Sequence, residues 1–432
     1  MGIELTSLDA RARTAKRAVF AESKRGWKVA RERLRNAVTA TVNLTAKQWR
    51  RAKHVGPYLD HRARKLEDAR TRLNTYRAEW AVEREVARLA TGSHPLIVGP
   101  WLSEVGYEAL YWVPFVRWVQ ATYHVDPDRL MIVTRGGAAA WYRDITPRSV
   151  ELFDLLTPEA FARQNASRSA EGGGTLKQWS VSRMDEEIID QVRRRTGMPD
   201  ARVLHPSLMY RLFQQFMLGH RPPSFLLRRT RYRRLEVPDV PLPALPAGYV
   251  AVKFYTAASL PPTPAVRRAV QSLVLALAAQ HPVVMLDTGL ALDDHEDYTF
   301  EKAARIHSVR DALRPETNLA VQTAIIGRAG AFVGTCGSLA WLAPMLGVDT
   351  TAVLADARFL HGHLQVARQV FQTLGGGRFS PLDIAALDGL NLTFQPIEKS
   401  QIPNPESQIP NPESQTPVTI HHPPSTIQRR NS

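Results

Sequence analysis

One cysteine, Cys336, is present in 432 residues. That excludes an intrachain disulfide and any cysteine-built zinc site, and it fits a reducing compartment. Long apolar runs are missing too. A stretch such as "LVLALAA" at 273–279 is far below the ~20 residues that cross a bilayer. The opening "MGIELTSLDARARTAKR" lacks the apolar core of a secretory signal. These deficits predict a cytoplasmic chain, at most peripheral at the inner face of a membrane. The remaining composition, 44% hydrophobic and 22% charged, is that of an ordinary globular protein.

Residues 1–92 have almost no glycine or proline, and Lys and Arg are abundant there. Residues 1–90 hold 22 Lys and Arg against 10 Asp and Glu, which is +12 of the whole chain's +15. The segment reads as a basic helical extension. Val19, Trp27, Val29, Leu34, Val38, Val42 and Leu44 make a loose helical stripe, and a second helix is expected over about 58–90. Two readings stay open: a solvated helical hairpin packed on the core, or a basic amphipathic arm on an anionic membrane surface. Nucleic acid is the weakest candidate, because no helix-turn-helix or aromatic stacking motif accompanies the charge. At the other end, "SQIPNPESQIPNPESQTP" (400–417) is a polar, proline-rich tandem repeat. It cannot bury a core, and 400–432 is expected to be disordered.

Between these ends strands and helices alternate. "PLIVG" (95–99), "RLMIVTRGG" (129–137) and "ARVLH" (201–205) read as strands, with helices at 103–120, 184–197 and 206–219. The proline-rich "VPDVPLPALPAG" (237–248) has the composition of a stiff linker. A second alternation follows: strands at 249–255, 282–289, 331–335 and 350–356, and helices at 264–280, 316–330 and 338–347. The expectation is α/β, with two doubly wound Rossmann-like domains over 93–245 and 246–399. A ligand would lie between them, at the carboxyl ends of the strands.

"FVGTCGSLAWLAPMLGV" (332–348) joins an apolar strand to an apolar helix through small residues. Gly334 and Gly337 allow a tight turn. Thr335 and Ser338 supply hydroxyls, and a helix N-terminus suits an anion. The alternative is a strand-to-helix turn packed on the sheet, with Cys336 as a small buried residue.

The segment "LAVQTAIIGRAGAFVGTCGSLAWLAPMLGVDTTAVLAD" (319–356) resembles the C-terminal domain of two-Rossmann (GT-B) glycosyltransferases of the heptosyltransferase-like kind. "IVGPWLSEVGYEALYWVPFVRWV" (97–119) resembles the first strand, loop and helix of bacterial polysaccharide glycosyltransferases. In such enzymes the small-residue turn holds the diphosphate of the donor. One departure is plain: Thr335, Cys336 and Trp341 stand where heptosyltransferases usually carry Asp or Asn and His.

The resemblance implies transfer of a sugar from a nucleotide sugar to a glycan or lipid-linked acceptor in bacterial surface polysaccharide or glycolipid assembly, with no metal and no other cofactor. A nucleotide-sugar epimerase of the same architecture is the alternative enzyme, and a non-catalytic scaffold acting through the basic arm is the alternative outside enzymes. Inverting transfer needs a base for the acceptor hydroxyl. Glu104, in "GPWLSEVGYE", is the first candidate and Glu108, one turn on, the second. Glu104 also suits a helix N-terminus on electrostatic grounds alone.

Trp101 and Tyr107 are candidates to line an acceptor, though aromatics here suit a core equally. Arg135, Gly136 and Gly137 form a second candidate anion turn, and a plain strand-to-helix turn is the equal alternative. On the donor side, Lys253 stands in an apolar strand and needs a partner or the cleft. Tyr255 and Asp287 end strands, and His307 is a candidate for the base or ribose. Gly334, Thr335, Gly337 and Ser338 would hold the diphosphate. "DDHED" (293–297) has the spacing of a solvated loop, and "HGH" (361–363) is a candidate lip of the site.

Overall fold

The computed structural model describes residues 26–44, 56–290, 295–300 and 303–385, all within one compact unit, Met1–Ala386. Residues 1–25 of the basic extension, Asp293 and Asp294, and the 400–432 repeat lie outside the described residues.

The first sheet is parallel throughout, in the order β3-β2-β1-β4: β1 (Leu96–Val98), β2 (Leu130–Thr134), β3 (Ser149–Glu151) and β4 (Arg202–Leu204). Leu96 pairs with Leu130 on one side and Arg202 on the other. The second sheet comprises β5 (Val250–Lys253), β6 (Val283–Met285), β7 (Ile306–Ser308), β8 (Ala331–Thr335), β9 (Thr350–Leu354) and β10 (Phe379–Asp383). It is also parallel, in the order β10-β9-β8-β5-β6-β7. The chain runs outward from β5 to β7, then crosses back to build β8 to β10. The order therefore reverses between β5 and β8, the place where doubly wound sheets open a crevice.

All-parallel sheets need cover on both faces. In α9 (Pro264–Gln280), Val266, Val270, Val274 and Ala278 are buried at four-residue spacing, so one face meets the sheet. By contrast α10 (Asn318–Gly327) is buried on every side from Asn318 to Ile326.

After β1 comes a helix in three parts: α3 (Val105–Tyr107), a π-helical turn Glu108–Trp112, and α4 (Val113–Tyr123). Pro114 explains the π turn. It has no N–H to give the carbonyl of Leu110 four residues back. The Tyr232 hydroxyl donates to that carbonyl instead, at 2.9 Å.

Helix α1 (26–44) is exposed along its whole length. Helix α2 (Gly56–Thr91) docks by its C-terminal part, where Glu79, Val82, Val86 and Ala90 are buried against α4 and α7 (Pro206–Met217). Glu79 pairs with Arg221 at 2.6 Å, and Glu83 with Arg229. A hairpin packed on the core thus holds for the end of α2 and not for α1.

Candidate functional site

A cleft opens at the carboxyl ends of the second sheet, beside the β5–β8 reversal, and the first sheet reaches over it. Lys253 ends β5, and Tyr255 and Thr288 follow β5 and β6. Asn318 and Gln322 come from α10, and Ser338 starts α11 (Ser338–Leu342). Arg135 and Val105 arrive from the first sheet.

Lys253 is paired, as an ammonium inside an apolar strand must be. Its Nζ lies 2.6 Å from Asp297 Oδ1, and Asp297 Oδ2 accepts the N–H of Thr288 at 2.9 Å. Residues 295–297 are therefore not the solvated loop that their spacing predicted. An antiparallel bridge between Tyr255 and Asp297 folds them back onto the end of β5. The His295 ring lies 4.8 Å from that of Tyr255.

Two residues of the cleft lining each carry a buried polar atom with no hydrogen-bond partner among the described residues: Nη1 of Arg135 and Oε1 of Gln322. The rest of the Arg135 guanidinium is well fixed. Nη2 donates to the carbonyl of Ser103 at 2.8 Å, and the guanidinium lies 5.2 Å from the Phe161 ring. Gln322 Nε2 is held by the carbonyl and the side chain of Asn318, each at 3.2 Å.

The small-residue turn is used largely for packing within the protein. A Cβ at Gly334 would meet the carbonyl of Lys253 at 2.3 Å, and one at Gly337 the Tyr255 hydroxyl at 2.7 Å. Thr335 Oγ1 accepts the N–H of Tyr255 and donates to its carbonyl, each at 2.9 Å. That hydroxyl therefore binds β8 to β5, where the sequence suggested donor contact. Ser338 is approached from the first sheet: a Cβ at Gly106 would meet its nitrogen at 2.5 Å. Glycines in this region let a strand, a ring hydroxyl and the helix α3 come close. Ser338 still borders the cleft. Cys336 is buried, and burial pushes its thiol up to about 12.

The Gly136–Gly137 turn does hold an anion, but the anion is the chain's own. Their N–H groups donate to the two carboxylate oxygens of Glu151 at 2.8 and 2.9 Å. Both glycines have positive φ, which brings the paired N–H groups to one side. The carbonyl of Gly136 accepts from Leu319 and Ala320 at the start of α10, at 2.8 and 3.0 Å. The turn thus joins the two sheets and has no N–H of either glycine left for a substrate. Despite these bonds, burial raises the Glu151 carboxyl to about 7.

Glu108, the second candidate base, is fully buried. Its Oε1 accepts from Thr134 at 3.0 Å and from Tyr142 at 2.7 Å, and burial raises the carboxyl to about 7. An acceptor hydroxyl has no route to it, so the catalytic role read from the sequence does not suit it. Glu104 differs: it is half-buried at the N-cap of α3, beside Val105 on the cleft wall. Trp101 is fully buried and stacks on Trp112 and Tyr210, at 5.8 and 6.0 Å between ring centres. It belongs to the core and lines no acceptor site.

Tyr107 and Tyr111 hold His363 between their hydroxyls, at 3.1 and 2.5 Å. This is a second joint between the halves, to α12 (His361–Leu374). Burial, with Lys177 nearby, lowers the His363 imidazole to about 4, so it is neutral there at pH 7.

Asp287 and His307 are not brought to the cleft. Asp287 accepts from Ser308 at 2.7 Å and pairs with Arg310 at 3.1 Å. His307 is exposed in the middle of the edge strand β7.

His295, Asp297, Asn318 and Gln322 are the cleft residues that sequence reasoning missed. For the last two a signal existed: two amides four residues apart in the otherwise apolar "NLAVQTAIIG", hence on one face. No group of His, Cys, Asp and Glu suited to a metal occurs among the described residues.

Neither a family model nor a curated protein matches the sequence. Several solved structures are similar in fold. ADP-heptose heptosyltransferase II of E. coli is 13% identical, over 60% of this chain and 84% of that one, with a TM-score of 0.33. A family 9 glycosyltransferase of Veillonella parvula is 10% identical, over 70% and 91%, at 0.36. A putative UDP-N-acetylglucosamine 2-epimerase of Listeria monocytogenes is 10% identical, over 60% and 79%, at 0.26. GT-B glycosyltransferases, which the sequence resembles, are thus among the structural likenesses. Matches this distant carry no functional weight, and the residues of the cleft have to supply it.

Proposed function

We propose that the protein is a glycosyltransferase that binds a nucleotide-sugar donor in the cleft between its two sheets and passes the sugar to a glycan or lipid-linked acceptor. Bacterial surface polysaccharide or glycolipid assembly is the setting that the sequence resemblance favours.

One observation carries the reading. Arg135 and Gln322, both in the lining of one cleft that also holds Lys253, carry a buried donor atom and a buried acceptor atom without a partner among the described residues. Leaving such atoms unmatched costs about 1–3 kcal/mol each. A sugar phosphate matches both kinds of group, since its phosphate oxygens accept from cations and its hydroxyls donate to an amide oxygen. In this reading Lys253 and Arg135 hold the phosphates, Asn318 and Gln322 the hydroxyls, and Tyr255 and Ser338 border the donor. Glu104 takes the proton of the acceptor hydroxyl as the glycosidic bond forms, and the nucleoside diphosphate leaves. The chain's own side chains supply charge and proton transfer, so the reading requires no metal.

Thermal unfolding with a panel of UDP-, GDP-, ADP- and dTDP-sugars tests this, because a ligand that prefers the folded state raises the midpoint by mass action. At least one donor should raise it. A panel that leaves the midpoint unmoved would remove the reading.

A further inference from the structure

Helix α1 carries a row of exposed apolar side chains. Trp27, Leu34, Val38 and Val42 are 57–74% exposed. Their spacing of seven, four and four residues puts them in one line along the helix. Ala30, Ala37 and Thr41 fill the same face. Lys28, Arg31 and Arg35 make a basic row along one border, and Arg33 stands near the other. The opposite face carries Glu32, Asn36, Thr39 and Asn43, with Val29 as its one exposed large apolar side chain. Along α2, Leu66, Leu73, Tyr76 and Trp80 are also exposed.

We propose that α1 is a membrane-surface helix that lays the Trp27–Leu34–Val38–Val42 face into an anionic lipid bilayer, with Lys28, Arg31 and Arg35 on the headgroups. An apolar line bordered by cations, with a tryptophan near its end, is the pattern of helices that lie in the interface plane. Charge selects this occupant over the others. Residues 1–90 as a whole carry +12, so two copies repel each other, which disfavours self-association through this face. Nucleic acid would satisfy the cations and leave four apolar side chains in water. An anionic bilayer satisfies both sets at once. No helix among the described residues is long and apolar enough to cross a membrane, so the contact is with the surface. The inference stands apart from what the cleft transfers, and its test uses no sugar nucleotide.

The test is co-sedimentation of the full chain with phosphatidylcholine vesicles, with and without about one-third phosphatidylserine. The protein should partition at least tenfold better onto the anionic vesicles. Raising salt from about 0.1 M to about 1 M, where the Debye length falls from about 10 to about 3 Å, should weaken binding. The triple variant Trp27→Glu, Leu34→Glu, Val38→Glu alters exposed positions only and should keep its circular dichroism and unfolding midpoint. It should lose at least tenfold in partition. Lys28→Gln, Arg31→Gln, Arg35→Gln should lose a similar factor.

Failure of the wild type to bind anionic vesicles at low salt would overturn the proposal. So would wild-type binding by the Glu variant, which would make the attraction purely electrostatic. A lipid-free dimer that the Glu variant converts to monomer in sedimentation equilibrium would assign the face to a second copy instead.

Discussion

Glu151 accepts the backbone N–H of Gly136 at 2.8 Å and so fills an anion-holding turn with a side chain 15 residues away. Gly137 donates to the other oxygen, and the carbonyl of Gly136 accepts from the first N–H groups of α10. One carboxylate therefore fixes the joint between the sheets. Glu151→Ala removes the acceptor of the part-buried N–H groups of Gly136 and Gly137, and of the longer bond from Phe153. It should destabilise the protein by about 1–3 kcal/mol for each N–H left unmatched, read from urea unfolding. Stability equal to wild type would mean that the turn holds without its carboxylate.

The buried carboxyls give stability a definite pH dependence. Glu108 and Glu151 are raised from 4.5 to about 7, in both cases chiefly by burial. Between those values the folded state holds more protons than the unfolded one. Their contribution is fully present below about 4.5 and is lost as pH rises through about 7. Each group should impose a slope on the order of 1 kcal/mol per pH unit across that window. Glu108→Gln, which keeps an acceptor for Tyr142 and Thr134, should flatten the profile by about half. An unchanged slope in that variant would place the dependence elsewhere.

Gly106 faces the nitrogen of Ser338, where an added Cβ would lie at 2.5 Å. The obstacle is backbone, which cannot swing away as a side chain can. Gly106→Ala should cost about 1–3 kcal/mol through overpacking, measured by denaturant unfolding, and it should loosen the contact of α3 with α11. A neutral effect would show that the two halves have slack at this joint.

Glu104→Gln tests the chemistry. Turnover should fall by roughly 10²–10⁴-fold with little change in donor affinity, as for the loss of a general base. Near-normal turnover would end the role assigned to this carboxylate, since Glu108 is buried.

Much of the architecture was legible because central parallel strands are short apolar runs. β1, β2, β5, β6, β8 and β9 all stand out in this way. β3, β7 and β10 did not, because they lie at sheet edges. Their burial is partial, and sequences such as "SVE" and "IHS" carry no apolar run. Lys253 was readable as a charge in need of a partner, but Asp297 was not readable as that partner. The two are 44 residues apart and meet only because the loop returns to β5. Likewise Gly136 and Gly137 read as an anion turn from local chemistry, while the identity of the anion depends on where β3 runs. Pairings across loops are tertiary facts, which periodicity does not record.

The most direct measurement is calorimetric titration of the wild type, Lys253→Met and His307→Ala with the sugar nucleotide that most raises the unfolding midpoint. Lys253 faces the cleft, paired with Asp297, whereas His307 is exposed on the edge strand. The account predicts saturable binding to the wild type, at least tenfold weaker binding to Lys253→Met as expected for a lost charge-assisted contact, and wild-type affinity in His307→Ala. Undiminished binding in a folded Lys253→Met, or loss of binding in His307→Ala alone, would contradict the placement of the donor in this cleft.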